Sequence, residues 1–86
     1  MRPNDWKVLK AIAELEDEMF PVKPTVVEIQ ARAGLSSKYG MDLVLYRLVS
    51  MGCIYRASLR LKTHRNYRVS EAGRAIYTKG VTHLCL

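Results

Sequence analysis

Thr25-Val26-Val27-Glu28-Ile29-Gln30-Ala31-Arg32-Ala33-Gly34-Leu35-Ser36-Ser37 is the stretch on which the reading of this chain turns. Thr25 and Glu28 stand three apart at the head of a helical pattern, the spacing of a capping box. The Thr25 hydroxyl can accept from the Glu28 amide while the Glu28 carboxylate reaches back to the Thr25 amide. Val26, Ile29 and Ala33 then form the inward face of a short helix. Gly34 suits a left-handed C-terminal turn, Leu35 tucks in, and Ser36 or Ser37 caps a further helix at once. Two helices are therefore joined by a turn of three to four residues.

Outward from this segment the pattern stays regular. A first helix is expected from a cap at Asn4 or Asp5 to about Glu18, with Val8, Leu9, Ile12, Leu15 and Met19 on one apolar stripe. Trp6 near its start reads as a core or staple aromatic, and Pro21 and Pro24 exclude continued helix. A third helix is expected over roughly 37–51, stopping at Gly52, with Met41, Val44, Leu45 and Leu48 in one narrow sector. The opposite sector carries Tyr39, Asp42, Leu43, Tyr46 and Ser50, with Gly40 and Arg47 at one flank. Exposed tyrosines and leucine on an outer face mark a contact surface.

A β-hairpin follows at about 55–69. Alternation turns Leu59, Leu61, Tyr67 and Val69 inward and Arg60, Lys62 and Arg68 outward, with His64 and Arg65 on the connection. A last short helix is expected from a Ser70 cap, with Ala72, Ala75 and Ile76 as its packing side. Residues 78–86 form a tail whose Val81, Leu84 and Leu86 pack on the core or meet a second subunit.

Eighty-six residues make a single domain spanning 1–86. The formal net charge is +6, and it is segregated: residues 1–52 hold seven Lys/Arg against seven Asp/Glu, whereas residues 53–86 hold seven against one, Glu71. A basic surface beside a neutral half is the electrostatic footprint of a phosphate-binding module. The plain alternative is a solvated hairpin that merely carries Arg and Lys. No apolar run is long enough to span a membrane, no secretory signal is visible, and two cysteines form no framework. A cytoplasmic, reduced protein is expected. Cys53, His64, His83 and Cys85 lack the close pairing of a metal site, and enzyme signatures are missing, so neither metal, cofactor nor catalytic residue is expected.

Helix, helix, turn, helix and hairpin, in that order, resemble a winged helix-turn-helix domain: an α+β, mainly α fold with a three-helix core, a two-stranded wing and a short C-terminal helix. Thr25-x-x-Glu28-Ile29, Gly34-Leu35-Ser36 and Arg47-Leu48-Val49-x-x-Gly52-x-Ile54-x-Arg56 resemble the MarR- and PadR-type transcriptional regulators. Tyr67-x-Val69-Ser70-x-x-Gly73 is similar to their exit from the wing, so the likeness covers about Thr25 to Tyr77. Gln30 departs from it, standing where the pattern has a small Ala.

The resemblance implies a double-stranded DNA-binding protein, expected to regulate transcription, with the third helix in the major groove and the wing on the backbone or in the minor groove. Its groove-facing positions would be Ser37, Lys38, Tyr39, Tyr46 and Arg47, with Ser36 and Ser37 holding a phosphate. Arg60, Lys62, Arg65 and Arg68 would neutralise phosphates, and His64 would enter a narrow minor groove. The regulators it resembles dimerise through long flanking helices. A homodimer through the first helix or the C-terminal tail stays open. The competing readings are a protein-interaction module gripping a partner with Tyr39, Leu43 and Tyr46, and an RNA or single-strand binder stacking bases on Tyr55 and Tyr67.

Overall fold

A computed structural model describes residues 1–20, 22, 24–36, 38–56 and 67–84, with the side chains of 38, 39 and 81–84 excepted. The architecture is α+β and mainly helical: α1 Pro3–Met19, α2 Val26–Ala33, α3 Lys38–Ser50, β1 Ile54–Arg56, β2 Tyr67–Val69 and α4 Glu71–Leu84. The two strands pair antiparallel, Ile54 opposite Val69, Tyr55 opposite Arg68 and Arg56 opposite Tyr67. Among the described residues, no helix is long and apolar enough to cross a membrane.

The expected stripe makes α1 the hub of the core. Val8, Leu9 and Ile12 are fully buried, and the helix packs against α2, α3, β2 and α4. Ile29 from α2, Met41, Val44, Leu45 and Leu48 from α3, and Ile54, Tyr67 and Val69 from the strands close around it. Both halves of the Thr25–Glu28 capping box form, which stabilises the α2 terminus by about 1 kcal/mol. Gly34 ends that helix at φ +73°, its amide donating to the Gln30 and Ala31 carbonyls. Gly52 ends α3 in the same left-handed manner at φ +74°.

Two expectations fail at the chain's outer helices. Neither Asn4 nor Asp5 caps α1: Arg2 is the cap residue, without a side-chain bond, and Pro3 occupies the first turn, where its missing N–H costs nothing. Asp5 is instead 2 % exposed and turned toward α3. Second, α4 is longer than expected and uses another face. Ser70 caps it as foreseen, accepting from the Gly73 amide, but Ala72, Ala75 and Ile76 are exposed. Gly73, Tyr77 and Gly80 turn inward instead. A methyl group on Gly73 would overlap the Cys53 carbonyl, and one on Gly80 would overlap the Trp6 indole. Close approach, rather than apolar side-chain area, selects that face. Trp6 stacks on Tyr77 with ring centroids 6.1 Å apart, which anchors α4 to α1.

Candidate functional site

The outward surface of α3 is left unused by the core among the described residues. One turn of a helix brings residues three and four apart onto one side. Asp42, Leu43, Tyr46, Val49 and Ser50 therefore share the side opposite Met41, Val44, Leu45 and Leu48, and all five are exposed. Leu43 is 54 % and Tyr46 71 % accessible, and Met51 and Tyr55 continue the apolar surface onto β1. A shallow groove of about 440 Å³ runs between helix and sheet, bounded by Asp42, Tyr46, Val49, Tyr55, Arg56 and Tyr67.

Arg47 lies at the other edge of this surface, beside a depression of about 410 Å³ that also takes in Arg2, Asn4, Gly40 and Leu43. Its guanidinium is committed to the fold. Nε donates to the Asp5 carboxylate at 3.1 and 3.3 Å, and Nη2 donates to Oδ1 at 2.7 Å. Such a forked contact on a buried carboxylate fixes the plane of the arginine.

Other carboxylates are engaged in the same way. Glu14 and Glu18 flank Arg32, while Glu16 and Asp17 flank Arg74, which also sits over the Tyr77 ring. Glu16 additionally accepts from the Val69 amide at 3.0 Å, tying α1 to β2. The hydrogen bonds from Arg32 hold the Glu18 carboxyl below its ordinary value, and the same contacts raise Arg32. Burial pushes the Cys53 thiol upward, so it is an unreactive core group. Among the described residues, Asp42 and Glu71 are the acids with neither ion pair nor capping bond, while Arg2, Lys7, Lys10, Arg56, Arg68 and Lys79 are cations without an ion pair. Folding therefore engages most of the negative charge and leaves positive charge over.

Of the residues singled out from sequence, Ser36 is exposed in the turn before α3 and Tyr46 lines the groove. Lys38 and Tyr39 stand in the first turn of α3, on backbone alone. Arg68 projects from the strand face opposite Tyr67 and Val69, half-buried, with its Nε buried and unbonded among the described residues. Ser37, Arg60, Lys62, His64 and Arg65 lie outside the described residues. Tyr67 is 3 % exposed and offers no stacking surface, in contrast to Tyr55. Val49 and Arg56 at the groove were not among the sequence choices; strand register, placing Arg56 opposite Tyr67, is the signal for the latter. Among the described residues, no cluster of His, Cys, Asp or Glu could hold a metal ion. No protein-family model matches this sequence, and no curated protein matches it.

Proposed function

We propose that this chain is a winged-helix domain that binds double-stranded DNA and regulates transcription by occupancy. In this reading α2, the turn at Gly34 and α3 are the helix-turn-helix, α3 enters the major groove, and the arm built on β1 and β2 lies along the backbone. The observation that carries it is the charge left after folding: the α1 carboxylates are held by Arg32, Arg47 and Arg74, while a chain of net charge +6 keeps its other cations unpaired among the described residues. Such an excess supplies the sequence-independent part of duplex affinity. The exposed outer face of α3 is what this reading sets in the groove. A mobility shift of random duplex at two salt concentrations tests the reading. Retardation at low salt that fades at high salt supports it, and none at either salt refutes it.

A second reading has its own support. Leu43, Tyr46, Val49, Met51 and Tyr55 are exposed apolar side chains on and just beyond α3, and the arginine of that helix is already neutralised. A protein partner seated on them explains their exposure equally in physical terms. Tyr46→Ala separates the two: loss of partner with duplex binding intact favours the interaction module.

A further inference from the structure

Base edges in the major groove differ in what they demand of a protein. Guanine presents two acceptors and requires donors, cytosine presents an amino donor, and thymine presents a methyl group. Among the described side chains of α3, Arg47 is the one charged donor. Arg56, without an ion pair among the described residues, stands across the groove on β1, whereas Arg47, the arginine of α3 itself, has Nε and Nη2 fixed on Asp5. Asp42, in contrast, is exposed and carries no ion pair among the described residues. A carboxylate is repelled by phosphate, so on a DNA-facing helix it belongs over the groove floor. There it accepts from an amino group, and adenine, whose N7 is itself an acceptor, suits it less well than cytosine N4. Leu43, Tyr46 and Val49 surround it with apolar area. From Asp42 to Val49 the helix rises about 10 Å, some three base-pair steps.

We infer that α3 reads a pyrimidine-rich strand, its Asp42 carboxylate accepting from a cytosine amino group and its Leu43, Tyr46 and Val49 side chains packing on thymine methyls. This inference rests on the duplex-binding reading and names what that surface recognises. It gives Asp42, the one acid on the face, a role that phosphate binding alone denies it.

The test starts from duplexes selected by the intact protein out of a random 20-base-pair pool. The selected duplex is then resynthesised with deoxyuridine for thymidine, or with 7-deazaguanine for guanine. Affinity falls roughly four-fold for each contacted methyl removed, because each is worth about one buried methylene. The 7-deazaguanine duplex binds within about two-fold of the parent. Asp42→Asn moves the preferred base at one position from cytosine to adenine, since an amide matches adenine N6 and N7. Sensitivity to 7-deazaguanine with indifference to deoxyuridine, or an Asp42→Asn preference identical to the parent's, overturns the inference and leaves duplex binding standing. Failure to enrich or retain any duplex removes the duplex reading itself.

Discussion

Asp5, in the first turn of α1, grips the guanidinium of Arg47, near the end of α3, with three hydrogen bonds between 2.7 and 3.3 Å. The carboxylate is buried and the arginine about a quarter exposed, so the pair pins the orientation of α3 on the hub helix. An arginine that sequence reasoning assigns to a DNA groove is thereby also a structural brace.

Breaking this pair is costly in an asymmetric way. Arg47→Ala leaves a buried carboxylate alone and is expected to destabilise by about 3 kcal/mol or more, whereas Asp5→Ala leaves a guanidinium that reaches water and costs less. The Asp5→Ala/Arg47→Ala double variant is expected to lose less stability than the sum of the two single losses. Urea midpoints of the three variants check the order, and simple additivity contradicts the coupling.

The α4 contacts make a second expectation. Gly73→Ala forces the helix start away from the Cys53 carbonyl and is expected to cost about 3 kcal/mol, at the upper end of overpacking. Gly80→Ala displaces the Trp6 indole instead, so the emission of the single tryptophan shifts while secondary structure by circular dichroism stays. An unchanged spectrum places Trp6 elsewhere.

These two sites show why part of the fold was readable and part was not. The Thr25–Glu28 box, Gly34, and the four-and-three spacing of Val8, Ile12 and Leu15 are local signals, and each formed as expected. Asp5 looked like a cap because short-range grammar cannot register a partner 42 residues away. Ala72, Ala75 and Ile76 looked like a packing face because apolar area was weighed and close approach was not. Glycines seven apart, Gly73 and Gly80, were the available sign. At the candidate site, the exposed outer face of α3 was readable from periodicity. The neutralisation of Arg47 was not, since it depends on how α1 crosses α3.

Acid should weaken one surface link in a defined direction. Glu18 titrates below its ordinary value of 4.5 because Arg32 donates to it and stands beside it as a positive charge. A depressed folded-state value means the contribution is present above the unfolded-state value and is lost as pH falls through the folded one. The stability difference between the parent and Glu18→Gln is therefore expected at pH 6 and should vanish toward pH 2. High salt should shrink it at neutral pH, because the pair is exposed. A difference that grows on acidification contradicts the assignment.

Cys53 offers a direct probe of the junction between α3 and the sheet. It is 1 % exposed and its thiol is held upward by burial, so few thiolates form and few are reachable. In a Cys85→Ser background, iodoacetamide should label the remaining thiol only as fast as the protein unfolds. Labelling at the rate of a free thiol contradicts the burial of this junction.

Duplex affinity as a function of salt tests the central claim most directly. Fluorescence anisotropy on one random 20-base-pair duplex compares the parent with Arg60→Ala/Lys62→Ala/Arg65→Ala, a variant that keeps half-buried Arg68 and whose folding is checked by thermal melting. The account predicts a linear fall of log affinity with log salt, and a slope shallower by about 2.7 in the variant, from roughly 0.9 for each phosphate that the three removed cations no longer neutralise. A folded variant that binds with the parent's affinity and the parent's slope contradicts it.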